Sequence, residues 1–223
     1  MITFVARNAT VPQTIRAYHI VHCDRLASIL KDGFLYSDSE IAQRHNGEGT
    51  VIGYDHIKAR RLATPVTAGS DLTVGGCVPF YYCPRSVMLY VIWKRDSEEL
   101  AYKGGQNDIV HLVFDPVELA NWTQLNTLRY YVTDCTAACF YFTAYDDIDA
   151  LNILDWTAIN ATLWRGMTDR KQAEFLVERC VPVSLLREVG VIDQEHARYV
   201  GQLLKLHGLD KQVVVNVVPR WYY

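Results

Sequence analysis

Apolar residues take on helical spacing just after residue 24, where Leu26, Ile29 and Leu30 share one face behind Asp24 and the pattern stops at Gly33. That spacing predicts a short helix capped by the Asp24 side chain and ended by a glycine suited to left-handed backbone. Residues 37–76 are polar, rich in Gly and Arg, and weakly periodic. They predict a long connection of the kind that often carries function. Runs of β-branched and aromatic residues follow at 78–82, 87–93, 109–114, 129–133 and 139–143, and each predicts a strand. Helical spacing returns behind Asp147 with Ile148, Leu151, Leu154 and Ile159. Residues 166–171 read as an exposed loop, with a strand at 172–177 behind it. A late helix behind Asp193 aligns Ala197, Val200, Leu203 and Leu204 and ends at Gly208. A strand at 213–218 and the aromatic tail Trp221-Tyr-Tyr close the chain.

Helices come early, between strands and late, without regular strand–helix alternation, so the expected class is α+β rather than doubly wound. No repeat, low-complexity tract or linker divides the chain, and residues 1–223 are expected to form a single domain. Half of the 223 residues are hydrophobic and 21% are charged, the profile of a globular protein with a full core. No apolar run reaches the roughly 20 residues of a membrane span. Met1-Ile-Thr-Phe-Val lacks the basic start and apolar stretch of a signal peptide, and the expectation is a cytoplasmic protein with no membrane partner. In that setting the sequons at Asn8, Asn121 and Asn160 carry little weight.

The net charge of −3 excludes broad electrostatic coating of nucleic acid but not a short basic groove. The six cysteines, Cys23, Cys77, Cys83, Cys135, Cys139 and Cys180, contain no Cys-x-x-Cys pair, so reduced structural thiols are expected. His19, His22 and Cys23 lie close together, yet their spacing fits no common zinc site and no second cluster in the sequence completes one; no metal is expected. A core-facing His19 on a short strand, or a His19 that binds a ligand hydroxyl, accounts for the same residues. Neither a P-loop nor a Rossmann glycine signature is present, and a serine hydrolase elbow is absent too. Basic residues gather at Lys58, Arg60 and Arg61, at Arg85, and at Arg170 and Lys171. They are either solvated surface charge or an anion site built from arginine forks. Glu174 follows the basic loop and opens an otherwise apolar strand, a placement that fits the rim of a cleft.

Four segments, in order and spanning nearly the whole chain, resemble the DarT family of bacterial DNA ADP-ribosyltransferase toxins. The first runs from Tyr18-His-Ile-Val-His22 through Leu26-Ala-Ser-Ile-Leu30 to Gly33. The second is Val78-Pro-Phe-Tyr-Tyr-Cys-Pro-Arg-Ser-Val-Met-Leu-Tyr90, and the third extends from Leu154-Asp-Trp156 to Trp164. The fourth is Arg170-Lys-Gln-Ala-Glu-Phe-Leu-Val177.

The resemblance implies an ADP-ribosyltransferase fold, with two small packed β-sheets, surrounding helices and a cleft for NAD+. It implies transfer of ADP-ribose from NAD+ to a base of single-stranded DNA, nicotinamide release, and a macrodomain antitoxin as partner. Glu174 falls on the family's catalytic glutamate, and Arg61, with Arg60 as a close competitor, on an arginine of the active site. His19, His22, Tyr81 and Arg61 are the implied NAD+ contacts, with the arginine expected to neutralise the diphosphate. Arg60, Arg85, Arg170 and Lys171 are the candidates for following a DNA strand.

Two positions depart from the pattern. Thr133-Asp-Cys-Thr-Ala137 stands where many relatives have Thr-Asp-Gly-His-Ala, so Thr136 replaces a histidine. Val87 stands where a proline follows Arg85-Ser86. The missing histidine leans the expected target from thymine toward guanine. Two other readings fit the residues: a transferase acting on protein or RNA ends, and a non-catalytic NAD+ or nucleic-acid binding module.

Overall fold

A computed structural model describes residues 11–44, 48–139 and 141–223; the amino-terminal stretch read for a leader and the Asn8 sequon lie outside them. The elements in chain order are β1 (Ala17–His22), α1 (Leu26–Asp32), β2 (Phe34–Tyr36), α2 (Asp38–Arg44), α3 (Asp55–Ala63) and β3 (Cys77–Tyr81). They continue with α4 (Val87–Lys94), β4 (Ile109–Phe114), α5 (Pro116–Leu125), β5 (Tyr130–Thr133), β6 (Ala144–Tyr145) and α6 (Trp156–Asn160). The last are α7 (Thr168–Lys171), β7 (Glu174–Glu178), β8 (Cys180–Pro182), β9 (Glu188–Val191), α8 (Gln194–Leu206) and β10 (Val214–Val217).

The strand order β10-β9-β4-β1-β3-β7-β5-β6 makes a large sheet, and β2 pairs with β8 in a small one. The large sheet consists of two four-stranded halves. β1 pairs with β4 along its full length, from Ala17↔Phe114 to His22↔Ile109. On its other side β1 meets β3 at the single pair Tyr18↔Tyr81. The α+β class and the two-part sheet thus follow the expectation, with the halves meeting at that pair. Phe80 and Phe175 face each other across β3 and β7 and are fully buried. Each such ring contributes about 1.5–3 kcal/mol by leaving water. Period-two alternation sends the neighbouring pair, Tyr81↔Glu174, to the opposite face. The core that fills one side of the sheet therefore aims Tyr81 and Glu174 at the other.

Several local expectations change. Residues 87–93 form helix α4 rather than a strand: the Ser86 side chain accepts the Leu89 N–H, and Leu89 and Ile92 are buried three residues apart. A cap plus one buried stripe outweighs β propensity here. The connection at 37–76 contains α2 and α3. No strand covers the described residues of 139–143; the adjoining strand is the two-residue β6. The predicted helix behind Asp147 is a 3-10 turn, Ile148–Ile153, followed by α6, which Asp155 caps. A short helix, α7, occupies most of the predicted loop at 166–171. Asp24 does not cap α1. Its carboxylate instead accepts the backbone N–H and the hydroxyl of Thr50, from 26 residues away. Gly33 does end α1, at φ 74°. Among the described residues no helix is long and apolar enough to cross a membrane, and all six cysteines are free thiols.

Candidate active site

Glu174 opens β7 and is held from every side. Its N–H donates to the Thr133 hydroxyl at 2.9 Å, and its carbonyl accepts the Tyr82 hydroxyl at 3.3 Å. The carboxylate Oε1 accepts the backbone N–H of Ala137 at 2.9 Å and lies 3.5 Å from the Thr136 hydroxyl. Arg61, projecting from α3, donates through Nη1 to Oε1 at 3.0 Å and through Nη2 to Oε2 at 2.8 Å. Glu174 is 1% exposed, so this fork meets the carboxylate away from water, where charge-assisted bonds are strong. Burial works against the Arg61 charge, but the Glu174 carboxylate outweighs it and holds the guanidinium above its ordinary range. Arg60 is one position away on the same helix. Successive residues of a helix point about 100° apart, and Arg60 is exposed. Of the two arginines, the fold brings Arg61 to Glu174.

Beside this pair a cleft encloses ≈ 1060 Å³ of atom-free space, counting the part open to solvent. His19 and Tyr81 line it, as do Arg25 and Lys58. His19 Nδ1 is 2.7 Å from the Pro79 carbonyl. A carbonyl only accepts, so Nδ1 carries the proton and Nε2 is left as an acceptor. Burial pushes the His19 pKa down to about 4, which keeps the ring neutral. Burial first and Glu174 second push the Tyr81 hydroxyl up, so it stays protonated. The cleft thus carries a neutral imidazole acceptor, a phenol, Arg25, and Lys58 paired with Asp38 at 3.1 Å, and its Tyr81 stands in register with Glu174 on the neighbouring strand. That donor set suits a ligand with sugar hydroxyls, an aromatic ring and phosphates.

The family model described as "ssDNA thymidine ADP-ribosyltransferase, DarT" matches residues 18–223. This chain belongs to the DarT family. A DNA ADP-ribosyl transferase of Thermus aquaticus is 35% identical over 208 residues, covering 92% of this chain and 88% of that protein. DarT from Thermus sp. 2.9, solved in complex with ADP-ribosylated ssDNA, superposes with TM-score 0.84 at 32% identity. The match covers 96% of this chain and 99% of that one. The same protein in complex with NAD+ gives TM-score 0.76 at 29% identity, over 96% of this chain and all of that one.

Against this DarT fold, the other sequence-derived site residues divide. His22 does not line the cleft. Its Nδ1 lies 3.0 Å from Asp24 and its ring packs against Tyr102 at 5.6 Å, which places it at the far end of β1 from Tyr81. Lys171 is 3% exposed, and its Nζ donates to the carbonyls of Ile159 at 3.0 Å and Ala161 at 2.8 Å. It closes the end of α6 and is not available to a DNA strand, because moving it would strip two carbonyls of their partner. Arg170 is half-exposed and pairs with Asp155 at 2.5 Å. Arg85 lies over the Tyr223 ring at 4.3 Å. Arg61 is engaged at two points by Glu174; on the cleft wall stand Arg25 and Lys58, the latter paired with Asp38 at 3.1 Å.

Sequence reasoning misses Thr133 and the Ala137 N–H. The signal for Thr133 is weak, a hydroxyl ending a strand. The backbone N–H of Ala137 leaves no residue-type signal at all.

Proposed function

We propose that this chain transfers the ADP-ribose of NAD+ to a base of single-stranded DNA and releases nicotinamide. The observation that carries the proposal is the Arg61–Glu174 pair, locked by Thr133 and Ala137 and facing the same side as Tyr81. Breaking the nicotinamide bond leaves oxocarbenium-like charge on the ribose, as in glycoside hydrolysis. A preorganised carboxylate stabilises that charge and accepts a hydrogen bond from the 2′-hydroxyl. It also serves as general base for the attacking nitrogen, an effect of roughly 10²–10⁴-fold. His19 would accept a ribose hydroxyl at Nε2, Tyr81 would offer a ring face to nicotinamide, and Arg25 and Lys58 would face the diphosphate. Exposed Arg60, with Arg85 and Arg170, would follow a short strand, a task that needs a groove rather than a basic protein.

Two observations bear on the base. The matched family is described as acting on thymidine. Thr136, where many relatives carry histidine, sits 3.5 Å from the Glu174 carboxylate and favours guanine. Thymine is the first reading and guanine the second. The chain would act in the cytoplasm, where NAD+ and DNA meet, as the toxin partner of a macrodomain antitoxin that removes ADP-ribose.

Incubation with NAD+ and single-stranded oligonucleotides differing in one base should add the mass of ADP-ribose to one of them and free nicotinamide in equal amount. If every oligonucleotide stays unmodified while NAD+ remains intact, or while protein or RNA is labelled instead, the proposal fails.

A further inference from the structure

Three segments distant in sequence meet at the end of β1 remote from Glu174. Cys23 follows β1 directly, and its N–H donates to the carbonyl of Asp108, just before β4, at 2.8 Å. His196 lies in the first turn of α8. One donor atom from each of Cys23, Asp108 and His196 lies within 4.8 Å of the other two. We propose that these three residues form a zinc site with three protein ligands.

The donor chemistry selects the ion. A thiolate with an imidazole and one carboxylate is a set for zinc, whereas calcium and magnesium take oxygen ligands. Zinc bonds of roughly 2.0–2.3 Å place tetrahedral donors roughly 3.3–3.8 Å apart. The three donors, within 4.8 Å of one another, would draw together on the ion. The site also has the support that distinguishes a built site from a chance cluster. His196 Nε2 points at Asp108 Oδ1 at 3.2 Å, while Nδ1 is 2.8 Å from Asp193 Oδ1. A carboxylate behind a ligating imidazole fixes its tautomer and aims the other nitrogen at the metal. Asp193 is itself immobilised, since the same oxygen accepts the N–H groups of Glu195 and His196 at the start of α8. His22 Nε2 lies 3.9 Å from Asp108 Oδ2, and water completes the coordination.

Binding exchanges protons for the metal. Zn²⁺ joins the Cys23 sulfur and the His196 nitrogen, the thiol proton leaves to solvent, and so does the Nε2 proton of the imidazolium. The thiolate and the Asp108 carboxylate then balance the two charges of the ion. The site ties the β1–α1 junction to β4 and α8. Through Asp24 and Thr50 it also braces the wall of the cleft. About 5 strand residues, roughly 16 Å at 3.3 Å each, separate it from the level of Tyr18 and Tyr81. The ion therefore acts on stability and takes no part in the transfer reaction.

The test is a titration of the reduced, metal-free full chain with Co²⁺ as an optical stand-in for zinc. One equivalent should produce the near-ultraviolet thiolate-to-cobalt band and visible bands of tetrahedral intensity, and Zn²⁺ should bleach both. Cys23→Ser should erase the thiolate band, while the double variant Cys135→Ser/Cys139→Ser keeps it. Asp193→Asn should weaken binding roughly 10–100-fold. Zn²⁺ should raise the melting temperature of the wild-type chain but not of Cys23→Ser. Asp108→Asn gives a second reading if Cys23→Ser folds poorly, and the circular dichroism and transferase activity of each variant used should match the wild type. Absence of the band at stoichiometric Co²⁺, or its persistence in a folded Cys23→Ser, overturns the proposal, as does an unchanged Co²⁺ affinity in Asp108→Asn.

Discussion

Arg61 and Glu174 stand 113 positions apart and meet through two parallel hydrogen bonds of 3.0 and 2.8 Å. Helix α3 delivers the arginine and strand β7 the carboxylate. The carboxylate also takes the Ala137 N–H. Three separate stretches of chain thus converge on one pair of oxygens.

Glu174→Gln keeps the volume and loses the charge. The amide can accept only one of the two Arg61 bonds and cannot serve as a base. Transfer of ADP-ribose to an oligonucleotide should fall by roughly 10²–10⁴-fold, with the circular dichroism spectrum unchanged. A variant as fast as the parent would remove Glu174 from the mechanism.

Arg61→Lys retains a positive charge but not the fork. An ammonium is a point donor that cannot hold both carboxylate oxygens in plane. A displacement of about 1 Å at the carboxylate costs on the order of 10²-fold in rate. Arg60→Lys, on the exposed side of the helix, should leave single-turnover transfer rates nearly unchanged at saturating oligonucleotide. Equal losses in the two variants would contradict the assignment of Arg61.

Lys171→Met tests a residue that a sequence reading assigns to DNA. Loss of the ammonium leaves the Ile159 and Ala161 carbonyls without their partner, at about 1–3 kcal/mol. For a chain of this size that lowers the melting temperature by about 2–4 °C per kcal/mol. The salt dependence of oligonucleotide binding should not move. A flatter salt slope with unchanged stability would return Lys171 to the DNA surface.

Acid should destabilise the protein through two neutral histidines. Burial lowers the pKa of His19 and of His111 to about 4 each, against about 6.5 in an unfolded chain. Between those values the unfolded state binds more protons, so stability falls as pH drops from about 6.5 to 4. Each group contributes a limiting slope of about 1.4 kcal/mol per pH unit. His196 acts above that window: burial resists its charge, but Asp193 and Asp108 outweigh it and raise its pKa, so its stabilisation is complete by about pH 6.5 and leaves the decline below that unaltered. Urea midpoints measured across that window should decline with acid, and His111→Gln should flatten the decline. An unchanged slope in that variant would show that His111 is not held neutral.

Much of the large sheet is legible in the residue pattern alone. The run at 109–114 is β4 itself, and the runs at 78–82, 129–133, 172–177 and 213–218 differ from β3, β5, β7 and β10 only at their ends. Buried strands announce themselves by composition, and Asp193 and the stripe Val200–Leu204 do the same for α8. The run at 87–93 misleads because Val, Tyr, Ile and Trp suit a strand by composition, whereas Ser86 and the burial of Leu89 and Ile92 make a helix. α3 escapes notice for the opposite reason. None of its residues is buried, so it shows no apolar stripe, although it carries Arg61.

The sequence by itself determined the class, the family resemblance and Glu174 as the residue to watch, because these reside in residue types and their order along the chain. Tertiary structure alone decided between Arg60 and Arg61, turned Lys171 from a surface cation into a buried clamp, and set Ala137 on the carboxylate. It also gathered Cys23, Asp108 and His196. Each of those outcomes depends on which way a side chain or an N–H points once distant segments pack. Direction is set by helix phase and strand register within the assembled core, and no spacing along the chain encodes it.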